Sequence, residues 1–128
     1  EAHLDLAFTL NQQGKTNEAL PHFIAAVKFD PGNPEYRFNL GLALLDHHQP
    51  AAAAIQFAEE IRLMPNDTNA HYRLAQALQQ QGKFAEAVPQ YREALRLTPD
   101  FPEARAALAA IVSAHPELKN SEPLDTAR

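Results

Sequence analysis

The 128-residue sequence contains no cysteine and no tryptophan, a single methionine and four glycines. Without cysteine, disulfides and thiolate metal sites are excluded, although the absence does not identify a redox compartment. No apolar run is long enough to cross a bilayer, and the N-terminus shows no basic stretch leading into a hydrophobic one. A Lys/Arg-rich run is missing too. With a formal charge of −5, the chain lacks the cations that sequence-independent nucleic-acid binding or an anionic membrane surface demands. Nucleic acid and direct membrane insertion are therefore set aside. No phosphate-cradling glycine loop or nucleophile motif occurs, and Gly14, Gly32, Gly41 and Gly82 read as turns or points of close packing.

What is present is ordinary globular composition, 45% hydrophobic and 21% charged, in a chain long enough to bury a core. It reads as soluble, with the cytoplasm the favoured compartment. It lacks an initiator Met and begins a residue or two inside a helix by the register below, so a fragment of a longer protein is expected.

A shift of 34 residues superposes Pro31 on Pro65 and Pro65 on Pro99. The same shift aligns Leu6, Leu40, Leu74 and Leu108, with Ala7, Gly41, Ala75 and Ala109 beside them. Leu10, Leu44, Leu78 and Val112 follow four residues after the leucines, which gives each first helix an apolar stripe at helical spacing. A second helix in each copy carries Ala19, Ala53 and Ala87, then Phe23, Phe57 and Tyr91, then Val27, Ile61 and Leu95. Small residues there let two backbones approach, and the aromatic fills the space alongside.

These residues resemble the tetratricopeptide repeat, whose 34-residue pattern runs Trp, Leu-Gly, Tyr, then Ala, Phe, Ala and Pro. Leu6-Ala7, Gly14, Ala19, Phe23, Ala26 and Pro31 match in the first copy, and Leu40-Gly41, Ala53, Phe57 and Pro65 in the second. In the third, Leu74-Ala75, Gly82, Ala87, Tyr91, Ala94 and Pro99 match. The resemblance implies an all-α fold, a right-handed α-solenoid of antiparallel helix pairs. Its expected divisions are repeat 1 over residues 1–33, repeat 2 over 34–67, repeat 3 over 68–101, a capping helix over 102–114 and a polar tail over 115–128. An exposed apolar N-terminal edge, able to self-associate, follows from the truncated first repeat.

Local signals refine this frame. Thr16 is expected to cap the second helix of repeat 1, and Asn33-Pro34 to cap and open the first helix of repeat 2. Pro21 and Pro89 should bend their helix starts rather than break them. His48 stands where the other repeats have a turn glycine, which calls for positive φ. Pro50 opens the next helix. Glu60 replaces the small residue seen as Ala26 and Ala94, so it must snorkel or find a partner, with His71 and Arg73 nearest in sequence register. The tail residues Leu118 and Leu124 are candidates to pack on the cap helix, the groove or a neighbouring molecule.

Nothing here points to catalysis, a cofactor or a metal. The six histidines form no His-x-x-x-His set with a third ligand, and the adjacent carboxylates Glu59-Glu60 read as a solvated helix face. What remains is surface. The resemblance implies that first helices line a concave face binding extended peptides or proteins. Carried over by register, that groove comprises Phe8, Asn11, Phe38, Asn39, Leu42, Tyr72, Arg73 and Gln76, within a strip that also takes in Leu4, Asp5, Gln12, Glu35, Asp46, Asn69, Gln80 and Ala106. Lateral packing between helices is the competing reading for Leu4, Phe8, Phe38, Leu42 and Tyr72. Family members that clamp a terminal carboxylate use Lys and Asn where this chain has Leu4 and Phe8 and a second Lys where it has Asn69, so only Asn39 and Arg73 fit that pattern. An asparagine ladder for peptide backbone is likewise reduced to Asn39, the series being Asp5, Asn39, Arg73 and Ala107. The expected function is therefore a non-catalytic interaction module for a protein or peptide of unknown identity. The alternatives are a regulatory or scaffolding region of a larger enzyme, such as a bacterial-type glycosyltransferase, or a self-associating structural module.

Overall fold

Each turn between the two helices of a repeat closes in the same way. Gly14, His48 and Gly82 occupy the same register position and all have positive φ, 77°, 58° and 77°. Around each, a wide backbone bond (Lys15 N to Leu10 O, Gln49 N to Leu44 O, Lys83 N to Leu78 O) encloses a narrower one from the left-handed residue itself, all between 2.8 and 3.0 Å. This is the Schellman closure, which consumes carbonyls that a helix end otherwise leaves unbonded.

The computed structural model describes residues 2–120, with side chains from Leu4 onward. Among them are helices α1 (Ala2–Gln12), α2 (Thr16–Phe29), α3 (Pro34–Asp46), α4 (Pro50–Leu63), α5 (Thr68–Gln80), α6 (Phe84–Leu97) and α7 (Pro102–Ala114), then a 3-10 turn, Pro116–Leu118. The starts of α2, α4 and α6, like those of α3, α5 and α7, fall at the 34-residue spacing. Two compact units divide the chain, Glu1–Pro65 and Asn66–Arg128.

In the first unit, α1 packs with α2, α2 with α3, and α3 with α4. Its core holds Ala19, Phe23, Ala26, Val27, Leu40, Ala43, Leu44, Ala53 and Phe57. Gly41 lets α3 lie against the Phe57 ring, since a β-carbon at that position would stand only 2.5 Å from it. Asn33 caps α3 by accepting from Tyr36 N at 3.2 Å, with Pro34 as first helical residue. In the second unit, Ala75, Ala87, Val88, Tyr91, Ala104 and Ile111 form the core, and Tyr72, Leu78, Phe84, Leu95, Phe101 and Leu118 pack against it. Asp67 caps α5 through Asn69 N at 3.0 Å and Ala70 N at 3.4 Å.

Four sequence expectations need correction or completion. Thr16 does not cap α2: it is already helical, Lys15 holds the cap position, and no side chain caps that end. Leu6 leaves the buried leucine series and is 44% exposed, whereas Leu40 is 5% exposed. The cause is that α2 packs against α3, while no described helix precedes α1. Glu59 and Glu60 do not share a solvated face, because Glu60 is 2% exposed. Glu59 alone faces outward, and the Arg62 guanidinium bonded to it holds its carboxyl below the usual range. The start of the tail, read as polar, is packed: His115 stacks on Phe84 with ring centroids 4.5 Å apart, and Arg92 donates to the Lys119 carbonyl. Leu118 joins the second core, whereas Leu124 lies outside the described residues. Pro21 and Pro89 lie inside unbroken helices.

Candidate functional site

In the first unit the predicted contact residues are anchored by their own repeat. Phe8 meets Phe23 edge-on, centroids 5.4 Å apart at 79°, and keeps 42% of its surface exposed. Phe38 does the same to Phe57 at 5.6 Å and 60° and is half-buried, as is Leu42. Edge-to-face packing fixes a ring's direction while leaving its other side free. The two asparagines are deeper. Asn39 is 9% exposed, and its Nδ2, like Oδ1 of the half-buried Asn11, is buried with no hydrogen-bond partner among the described residues.

In the second unit Tyr72, Arg73 and Gln76 form one linked cluster on α5. Gln76 donates through Nε2 to the Tyr72 hydroxyl at 3.1 Å and accepts from Arg73 Nη1 at 3.0 Å. The Arg73 guanidinium also lies 5.5 Å from the Tyr72 ring centroid. Tyr72 itself is wedged between Tyr91 at 5.9 Å and Phe101 at 4.8 Å. Lateral packing and surface display are thus combined in one side chain.

Beside this cluster lies a hollow of about 490 Å³ lined by Gln76, Gln79, Gln80, Phe84, Tyr91 and Ala107. At its base the Tyr91 hydroxyl donates to Gln79 Oε1 at 2.6 Å. Burial, and then the neighbouring Tyr72, push the Tyr91 phenol up to about 12, so it remains a neutral donor at physiological pH. Sequence reasoning placed Gln76 and Gln80 on the surface, Tyr91 among the packing aromatics and Ala107 in the ladder series, but missed Gln79 and Phe84. The Gln79-Gln80-Gln81 run was visible, but its relation to Tyr91 depends on how α6 folds back, which spacing alone does not reveal.

A second hollow, also about 490 Å³, sits at the turns of the first unit, between Gly14–Glu18 and Asp46–His48. It mixes Lys15 and two histidines with Glu18 and Asp46, and no group of three metal-ligating side chains occurs among the described residues. His71, which shares its register position with Arg37 and Arg105, is 7% exposed and bonds Gln90 at 2.8 Å, as Arg37 bonds Gln56 at 3.0 Å. These are parallel framework contacts. No helix among the described residues is long and apolar enough to cross a membrane.

Known proteins extend the picture. A family model described as a tetratricopeptide repeat matches residues 68–101, and another described as a TPR repeat matches residues 9–47, together more than half of the chain. Among solved structures, the first TPR of Spaghetti (RPAP3), bound to the HSP90 peptide SRMEEVD, is similar at a TM-score of 0.84 and 26% identity, over 88% of this chain and 90% of that one. The first TPR domain of human RPAP3 gives 0.81 at 27% identity, over 93% and 94%. A MamA double mutant gives 0.86 over 93% of this chain and 67% of its own, at 18% identity, a likeness of fold alone. No curated protein sequence matches the chain.

Proposed function

Because the chain belongs to the tetratricopeptide repeat family and folds as an all-α helical-repeat solenoid, we propose that it is a non-catalytic interaction module that binds a peptide or protein segment through its first helices. The observation that carries this reading is the state of those helices' side chains. Phe8, Phe38 and Tyr72 are each fixed on one side by an aromatic of the following helix, yet none is buried. Rigid, part-exposed aromatics next to Arg are the side chains that dominate binding energy at protein interfaces.

The Spaghetti relative is described with an HSP90 peptide bound, which supports the class of ligand. The anchoring of that class need not be shared. Leu4 and Phe8 provide no cation, so Arg73 is the one positive group among the proposed contact residues, and a terminal carboxylate gains little here. Leu42 and Phe38 in the first unit would hold apolar side chains, with Asn39 bonding ligand backbone. Tyr72, Arg73 and Gln76 would present a polar, aromatic surface in the second.

Selection from a displayed library of random peptides, followed by calorimetry, tests this reading. Leu42→Ala and Arg73→Ala, neither in a core, should each weaken the selected peptides roughly tenfold, or about 1.4 kcal/mol. No enriched peptide, or unchanged affinity in both variants, would reject it.

A second reading is favoured by the exposure of Leu6 and Phe8: self-association of α1 with another copy. Sedimentation equilibrium should then show a dimer that Leu6→Glu dissociates. A monomer at every concentration rules it out.

A further inference from the structure

We infer that the hollow of the second unit is a pocket for an uncharged primary amide, the side chain of a glutamine in the bound segment. The inference rests on the peptide-binding reading and names the chemistry that one part of the surface selects.

The lining carries three amide side chains, two aromatic rings and a methyl group, and no charged residue. Its volume, about 490 Å³, leaves room for a single side chain, and the hollow is open to solvent on its outer side. The directions of its hydrogen-bonding groups follow from the bonds already made. Tyr91 donates to Gln79, so the Gln79 oxygen faces the phenol and its NH₂ faces away. No acceptor among the described residues takes that NH₂. Because the Tyr91 proton is retained up to about 12, the orientation holds throughout the physiological range. Gln76 is bonded at both ends, oxygen to Arg73 and nitrogen to Tyr72, so it braces the wall. Gln80 is exposed, makes no bond among the described residues, and is free to turn either end toward a ligand.

The pocket therefore presents one fixed donor, one adaptable amide, and the Phe84 and Tyr91 rings. A glutamine side chain complements all of these: its oxygen accepts from Gln79, its NH₂ donates to Gln80, and its methylenes lie along the rings. A glutamate of the same shape has no hydrogen to donate to Gln80, and no cation in the lining meets its charge. An alkyl chain leaves the Gln79 donor unmet, which is the kind of mismatch that polar sites reject most strongly. Arg73 does not blur this choice, because it lies outside the lining and is held by Gln76 and the Tyr72 ring.

The test is an NMR titration of the full chain with N-acetyl-glutamine N-methylamide, its glutamate counterpart and its norvaline counterpart, read at the side-chain amide resonances of Gln79 and Gln80. A saturable shift of both is expected with the glutamine probe, and at least tenfold weaker responses with the other two. Gln80→Ala, at an exposed position that does not threaten folding, should weaken the glutamine probe. Tyr91→Phe releases Gln79 to rotate and should narrow the preference for glutamine over glutamate. Equal responses to the three probes, or no shift at Gln79 and Gln80, overturn the amide pocket. If display-selected peptides still bind and remain sensitive to Leu42→Ala, the interaction module survives that failure. If no peptide is selected while the glutamine probe saturates, the pocket stands and the module reading falls.

Discussion

His48 shows how much a single residue's conformation reveals. It sits at φ 58° where the neighbouring repeats use glycine at 77°. A side chain in this left-handed region costs roughly 1–2 kcal/mol, against a glycine entropy penalty of roughly 0.5–1 kcal/mol. His48→Gly should therefore stabilise the first unit by about 0.5–1 kcal/mol, measured as a higher urea midpoint at unchanged slope. Tyr91 makes a pH-dependent prediction. Its folded pKa, about 12, exceeds the ordinary 10.0, so the folded state holds the proton more tightly. The stabilisation is complete below pH 10 and lost as pH rises toward 12, a decline of about 3 kcal/mol from this group. Tyr91→Phe should remove that part of the alkaline decline in urea titrations, and an identical decline in both proteins would contradict it. At this scale His48 and the Asn33 cap were legible because both are decided by local backbone chemistry. The register also put Glu60 at the small-residue contact position, where it is 2% exposed, but the exposure of Leu6 and the failure of Thr16 to cap were not legible, since each depends on packing or on a one-residue shift in where a helix begins.

Between elements, Gly41 marks a close approach of α3 to α4. Alanine there improves helix propensity by about 1 kcal/mol, but its β-carbon would stand 2.5–2.9 Å from three atoms of the fully buried Phe57 ring. Overpacking of that kind costs about 1–3 kcal/mol, so Gly41→Ala should be net destabilising, and Phe57→Leu in the same background should recover part of the loss relative to its own cost. Differential scanning calorimetry of the four proteins gives the cycle. At the other end of the chain, the 3-10 turn does what composition did not suggest. Leu118→Ala should lower the stability of the second unit by about 1 kcal/mol, because a partly buried leucine is removed from the core it packs against. An unchanged melting temperature would show that the turn adds nothing. The helix pairs themselves were legible, because a 34-residue period repeats the turn residue, the small residue and the aromatic together. The turn after α7 was not, because it occurs once and has no copy to compare.

For the whole molecule, repetition made the fold readable and left function only partly so. Two copies agree on buried Leu40 and Leu74, and all three on Ala19, Ala53 and Ala87 and on an aromatic at Phe23, Phe57 and Tyr91, and these agreements are what a helical-repeat core requires. The proposed contact positions are ones where the copies differ, such as Asn39 against Arg73 or Leu42 against Gln76, and difference between copies carries no internal check. The structure adds what those positions do locally: aromatic anchoring of Phe38 and Tyr72, and the Tyr72–Gln76–Arg73 cluster. The central claim is that a peptide is bound by the first helices. It is tested most directly by mapping a display-selected peptide on the chain through backbone amide chemical shifts. Perturbations concentrated at residues 38–42 of α3 and 72–76 of α5 are predicted, with Phe29 and Ile55 on the second helices unmoved. Shifts confined to Phe29, Ile55 and their neighbours on α2 and α4 would contradict the account.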